Sequence, residues 1–136
     1  MGADFVALTP CTCARVSYSY VHTIRSKLIN MVDKNLGAVF DESRKGEYDF
    51  EKINDTYHKV VKELKEMADA SGDDIIIGVL AFVDHSDCDG EFYGEDCECI
   101  AKALKKLQET DKDEAVENLI KVFDNAVNDN GIVVIW

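Results

Sequence analysis

The residues best suited to chemistry lie in one short acidic segment, residues 84–98. This segment holds seven of the 27 acidic residues of the chain and contains no lysine or arginine. Carboxylates this close repel one another unless a cation or a basic group lies among them. The segment therefore predicts a binding site for a basic partner or a cation, formed by His85, Ser86, Asp87, Cys88, Asp89 and Glu91.

A calcium loop is one interpretation of the same segment. The order Asp87-x-Asp89-Gly90 resembles the calcium loop of EF-hand proteins, in which glycine occupies position 6 and oxygen ligands occupy positions 1, 3, 5, 7, 9 and 12. His85 then stands at position 1, where a carboxylate belongs, so the resemblance implies only weak Ca²⁺ binding. Its implied acidic ligands are Asp87, Asp89, Glu91 and Asp96. The competing interpretation is that Asp87 and Asp89 form turns and cap the next helix.

The cysteines and the histidine allow two further hypotheses. Zn²⁺ prefers thiolate and imidazole ligands, which His85, Cys88 and Cys97 would supply. The pairs Cys11-x-Cys13 and Cys97-x-Cys99 are weaker indications of a metal site than a CxxC pair. Buried cysteine commonly acts as a small apolar side chain. Cys97 lies on the apolar stripe of its predicted helix, whereas Cys99 lies off it. A thiol- or metal-dependent enzyme centred on His85 and Cys88 is the enzymatic alternative; in a thiol enzyme Cys88 would be the nucleophile and His85 the base.

Charge and composition favour a binding or regulatory protein over an enzyme. Acidic neighbours disfavour a thiolate, so they act against catalysis by Cys88, and no catalytic residue is assigned. The net charge of −12 disfavours nucleic acid and anionic membranes as partners and favours a basic protein. The N-terminus lacks a signal-peptide pattern, no apolar run reaches the length of a membrane helix, and the five cysteines are an odd number. These features predict a cytoplasmic protein.

Four stretches of the sequence together resemble a family of small uncharacterised proteins found in bacteria and phages. They are the opening Met1-Gly2-Ala3-Asp4, the run Ser17-Tyr18-Ser19-Tyr20 with Arg25 after it, the segment His85-Ser86-Asp87-Cys88-Asp89-Gly90, and Asn130-Gly131-Ile132-Val133. The Ser-Asp-Cys-acid-Gly element is the most specific of the four. Tyr20 stands where the family pattern has glycine. The resemblance implies a cytoplasmic domain and no particular chemistry.

The elements that must position the acidic segment follow from periodicity and capping residues. Strands are predicted over 3–9, with a turn at Pro10, and over 132–136. The apolar run 75–83 is predicted as a central strand, and a helix is the alternative. The first helix is predicted from Ser17 or Ser19 to Leu36, ending at Gly37, followed by a loop over 38–48. The other predicted helices are one from Asp49 to Ser71-Gly72, one through Cys97–Leu107 with Glu95 and Asp96 in its first turn, and one from an Asp111–Glu114 capping box to 128–131.

These elements predict a single domain over 1–136 of the α/β or α+β class, with more helix than strand. The expected order is β-α-α-β-α-α-β, in which about three strands are covered by four helices. The two terminal strands are expected to be neighbours, because each is short, apolar and without an obvious hairpin partner.

Overall fold

The computed structural model describes residues 2–8, 11–45, 49–85, 90–128 and 131–135. Within these ranges the chain forms a helix-dominated α+β fold, with four strands rather than about three and six helices rather than four. The strands are β1 (Gly2–Leu8), β2 (Cys11–Ser17), β3 (Gly90–Phe92) and β4 (Val133–Ile135). The helices are α1 (Tyr18–Val32), α2 (Lys34–Glu42), α3 (Phe50–Ser71), α4 (Asp74–Val83), α5 (Gly94–Thr110) and α6 (Glu114–Asn128).

The strands form one antiparallel sheet in the order β2-β1-β4-β3. β4 pairs with β1 through Phe5↔Ile135, Val6↔Val134 and Ala7↔Val133, so the prediction that the terminal strands are neighbours is confirmed. β4 also pairs with β3 on its other side. The last described strand of the chain therefore lies inside the sheet rather than at its edge.

β2 is a strand that no pattern above predicts. Its seven residues pair with β1 in an unbroken register, from Gly2↔Ser17 to Leu8↔Cys11. Ala14 and Val16 are buried whereas Cys13 and Arg15 are exposed, which is the alternation of a half-buried strand. Thr9 and Pro10, on which the predicted turn falls, lie outside the described residues.

The first predicted helix is divided in two at Asp33. Ser17 caps α1 as one of the two predicted caps, but α1 ends at Val32. The carboxylate of Asp33 then accepts a hydrogen bond from the N–H of Leu36 at 3.1 Å and begins α2. The prediction of one helix to Leu36 is therefore wrong, because an N-cap in mid-segment starts a new helix. The predicted loop over 38–48 is wrong for 38–42, which belong to α2, whereas 43–45 lie outside any helix as predicted. Residues 46–48 of that predicted loop lie outside the described part of the chain.

The boundaries of α3 are confirmed. The carboxylate of Asp49 accepts a hydrogen bond from the N–H of Lys52 at 3.2 Å, and Gly72 ends the helix with φ 64°. A left-handed residue at this position is most easily glycine, as the Ser71-Gly72 pair predicts.

The prediction of a central strand over 75–83 is wrong, and its rival is correct: this run is helix α4. The Asp73 side chain accepts a hydrogen bond from the N–H of Ile75 at 2.8 Å and so caps the helix. Gly78 allows α4 to approach α5 closely, since a Cβ at this position would lie 2.0 Å from the carbonyl oxygen of Cys99. A helix that is apolar on all sides is stable only when other elements surround it, and α4 contacts α1, α3 and α5.

The caps of the last two helices also differ from the prediction. Glu95 and Asp96 occupy the first turn of α5, as predicted, but the N-cap is Tyr93, which makes no side-chain cap hydrogen bond. Asp111 ends α5, and Asp113 rather than Asp111 accepts a hydrogen bond from the N–H of Ala115 at 2.9 Å at the start of α6.

Four phenylalanines at the centre of the core tie the sheet to the helices. Phe5 stacks on Phe82 with a centroid distance of 6.1 Å, and Phe92 meets Phe123 edge to face at 5.3 Å. Each of these side chains is at most 3% exposed. Phe92, in strand β3, therefore anchors the middle of the acidic segment in the core. None of the described helices combines the length and the apolar character that crossing a bilayer requires.

Candidate functional site

The acidic segment is not one continuous loop. Its described part consists of Asp84 and His85 after α4, strand β3, and the first turn of α5. Four of the predicted site residues lie outside the described residues, namely Ser86, Asp87, Cys88 and Asp89. The turn that Asp87 and Asp89 are predicted to form, and the pairing of His85 with Cys88, fall there as well.

His85 is held in place by contacts on several sides. Its imidazole ring stacks on Phe92 with a centroid distance of 4.0 Å, and its Nε2 lies 3.1 Å from the carbonyl oxygen of Glu91. A carbonyl oxygen only accepts hydrogen bonds, so Nε2 carries the proton. The carbonyl oxygen of His85 accepts a hydrogen bond from the buried guanidinium of Arg25. Helix α1 thus fixes the backbone of His85, and the core fixes its ring.

Gly90 is required at its position for two reasons. Its φ of 120° is rarely adopted by residues with a side chain. A Cβ on Gly90 would also lie 2.6 Å from Cε1 of the His85 ring. The glycine predicted from the calcium-loop pattern therefore makes room for an imidazole.

An open groove lies beside this ring, between the end of α4 and the start of α5. Its volume is about 260 Å³. Ile77, Leu80, Ala81 and Phe92 contribute its apolar lining, and its polar lining consists of Asp84, His85, Glu91 and Asp96. These eight residues are called the acidic groove below, and none of them is a lysine or an arginine. Three of the predicted site residues, His85, Glu91 and Asp96, are therefore brought together here.

Two of the four predicted calcium ligands, Asp87 and Asp89, lie outside the described residues, whereas Glu91 and Asp96 both line the acidic groove. No group of three or more His, Cys, Asp or Glu side chains in the described part of the chain is arranged to hold a metal ion. With Gly90 at loop position 6, the carbonyl of position 7 belongs to Glu91, and in calcium loops this carbonyl is a ligand. Here it accepts a hydrogen bond from Nε2 of His85. An imidazole N–H therefore occupies the oxygen that calcium would use.

The described cysteines do not support a soft-metal site. Cys97 is fully buried, and its thiol donates to the carbonyl oxygen of Phe92 at 3.4 Å. Burial raises the pKa of the Cys97 thiol to about 11, so it stays protonated at neutral pH. Cys99 is also buried, at 8% exposure, and burial likewise raises its pKa. Cys99 lies off the predicted apolar stripe of its helix but is buried all the same, because α4 packs against it at Gly78.

Sequence reasoning missed one electrostatic cluster, which joins α1 to the junction of α5 and α6. Nζ of Lys27 lies 2.9 Å from Asp111 and 3.4 Å from Asp113, and the Tyr20 hydroxyl donates to Asp113. Burial opposes ionisation of Asp113, but hydrogen bonds from Tyr20, the Ala115 N–H and Lys27 together lower its pKa. The hydrogen bond to Asp113 raises the pKa of Tyr20. All these groups are satisfied by one another, so the cluster is a structural link between helices.

Comparison of this chain with family models, with curated proteins and with solved structures finds no match. The resemblance to small bacterial and phage proteins therefore stays a prediction.

Proposed function

We propose that this chain is a cytoplasmic, non-enzymatic binding or regulatory protein whose acidic groove receives a cationic side chain of a basic protein partner. The observation that supports the proposal is the composition of the groove. Carboxylates of Asp84, Glu91 and Asp96 stand beside an apolar surface that includes Leu80 and Phe92.

This combination suits a lysine or arginine side chain. Such side chains lay their methylene stems along apolar surface while the charged head stays in water or pairs with a carboxylate. In the groove, Leu80 and Ala81 are available to the stem, and Asp84 and Asp96 are available to the head. A hydrated metal ion would gain nothing from the apolar surface.

The charge of the whole chain acts in the same direction. A net charge of −12 creates a negative field that speeds the approach of a basic protein, and salt screens this field. Steering raises the association rate, whereas contacts in the groove determine which basic partner stays bound. Binding is therefore expected to depend both on salt and on the groove residues.

The experiment measures binding of a fluorescent peptide of alternating lysine and leucine by anisotropy, at about 20 mM and about 500 mM salt. The unaltered chain is expected to bind the peptide at low salt and to lose most of this binding at high salt. The double variant Asp84→Asn/Asp96→Asn is expected to bind roughly tenfold more weakly at low salt, since each exposed ion pair contributes up to about 1 kcal/mol.

The matched control is Glu66→Gln/Asp69→Asn, which removes the same two charges from exposed positions on α3. This control is expected to change the affinity by less than about twofold, because it alters only the long-range field. Equal weakening by both double variants would mean that the groove has no role, and the proposal would then be wrong. A peptide of alternating glutamate and leucine is expected not to bind.

A further inference from the structure

The two edges of the sheet differ in how well they are protected against pairing with another strand. β3, at one edge, has three residues, a glycine with φ 120° and the charged Glu91. Short length, irregular backbone and charge are the usual means by which proteins block an edge. β2, at the other edge, has seven residues in unbroken register with β1, and its only charged side chain is Arg15. In the described part of the chain no strand pairs with its outer side.

β2 also belongs to a part of the sequence that carries no acidic residue. Residues 5–32 form the longest stretch of the sequence without an aspartate or glutamate, and they include all of β2. Pairing through β2 therefore brings no carboxylate of either paired strand into contact, although each molecule carries a charge of −12. A second copy presents the same acid-free strand, and two-fold symmetric pairing is the most common form of self-association.

We propose that β2 pairs with β2 of a second copy in antiparallel orientation and joins the two sheets into one of eight strands. In this pairing Ala14 lies opposite Ala14 of the second copy, at the two-fold axis. Cys13 of each copy then lies directly opposite Arg15 of the other copy, which gives two such pairs. The two-fold axis is perpendicular to the sheet. The helices of both copies therefore lie on the same face of the joined sheet. This register keeps the two Arg15 side chains from facing each other, and each retains its ion pair with Asp4 of its own chain at 3.6 Å.

The experiment measures the self-association constant by sedimentation equilibrium over protein concentrations from about 10 μM to about 1 mM, because strand-edge contacts bury little surface and are weak. The variants are Cys13→Glu and Cys13→Lys. In the proposed register Cys13→Glu creates two ion pairs with Arg15, and Cys13→Lys creates two like-charge contacts. Cross-strand charge pairs predict a change of about fivefold in opposite directions, stronger for Cys13→Glu and weaker for Cys13→Lys.

Net charge alone predicts the opposite order. Cys13→Lys lowers the negative charge of each copy and would favour association, whereas Cys13→Glu would oppose it. The control Glu66→Gln lowers the negative charge by the same single unit at an exposed position on α3, away from both sheet edges, and is expected to change the constant by less than about twofold. The reverse order of the two Cys13 variants, or a chain that stays monomeric throughout, overturns the proposal.

A cross-linking measurement tests the register independently. Arg15→Cys places a new thiol opposite Cys13 of the partner, and oxidised glutathione is expected to convert this variant into a disulfide-linked dimer on a non-reducing gel. The unaltered chain is expected to link poorly through β2, since the two Cys13 side chains are diagonal neighbours about 7–8 Å apart. The double variant Cys13→Ser/Arg15→Cys lacks one thiol of each pair, and cross-linking of this variant at the same yield would overturn the register.

Discussion

At the scale of single residues, His85 and Gly90 form the most constrained pair near the groove. The ring of His85 lies under Gly90, against Phe92, and donates to the carbonyl oxygen of Glu91. The sequence pattern identified both residues as part of a site. It assigned them to a calcium loop, because an Asp-x-Asp-Gly order carries no information about where a neighbouring imidazole lies.

Gly90→Ala is expected to destabilise the protein by about 2–3 kcal/mol, since it adds backbone strain and a contact with the His85 ring. The matched control is Gly72→Ala, which also has a positive φ, of 64°, but has no heavy atom within 4 Å of a new Cβ. This control is expected to cost about 1 kcal/mol. Urea denaturation measures both. In a His85→Ala background the loss of unfolding free energy caused by Gly90→Ala is expected to be smaller. An unchanged loss would mean that the contact with the His85 ring contributes nothing.

The cysteines show how a residue's environment depends on a neighbouring element. The burial of Cys97 could be predicted, because this residue lies on the apolar stripe of its own helix. The burial of Cys99 could not, because it depends on the close approach of α4 at Gly78. Because 75–83 was predicted as a strand, the sequence interpretation contained no helix that could cover Cys99.

At the scale of secondary structure elements, local capping decided most of the differences from prediction. Asp33 and Asp73 each accept hydrogen bonds from the N–H groups that follow them and begin a helix. The run 75–83 is rich in β-branched residues, which favour strands, yet the cap at Asp73 and packing against α5 outweigh this preference. Helix α3 was predicted correctly because its periodicity, its Asp49 cap and its terminal glycine all agree.

Strands β2 and β3 could not be predicted from their own sequences. Each is stabilised by pairing with another strand, and the residues of the short segment do not show which strand that is. β3 has three residues, and its register with β4 places the buried Phe92 opposite Val133. Two helices on either side of the acidic segment nevertheless give it the helix–loop–helix order expected of a calcium loop.

This order allows a test of whether the hydrogen bond from His85 opposes calcium binding. The melting temperature of the unaltered chain is expected to stay the same in about 10 mM Ca²⁺, since the Glu91 carbonyl is already occupied by His85. His85→Asp supplies a carboxylate at loop position 1 and releases that carbonyl, so Ca²⁺ is expected to raise its melting temperature by several degrees. His85→Asn also releases the carbonyl but adds no charge, and it serves as the control.

Stabilisation of the unaltered chain by Ca²⁺ would contradict this account of His85. Stabilisation of His85→Asn to the same extent as His85→Asp would show that the carboxylate at position 1 is unnecessary. Zn²⁺ is expected to leave all three melting temperatures unchanged, because Cys97 is buried and protonated.

At the scale of the whole molecule, the antiparallel sheet connects distant parts of the chain. β1 and β4 come from the two ends of the sequence, and β4 carries β3 and hence the acidic groove on its other side. The position of the groove relative to the core therefore depends on a three-residue strand, Val133–Ile135.

Two adjacent valines of that strand provide the test. Val133 is fully buried opposite Ala7 and Phe92, whereas Val134 lies on the other face of the sheet and is partly exposed. Val133→Ala is expected to destabilise the protein by about 2 kcal/mol, because it removes two buried carbon atoms and leaves a cavity under Phe92. Val134→Ala removes the same atoms and has the same effect on strand propensity, but it is expected to cost less than about 1 kcal/mol. Urea denaturation followed by circular dichroism measures both values. Equal losses of stability in the two variants would mean that β4 contributes through strand propensity. They would contradict the view that burial of Val133 between β1 and β3 makes β4 important.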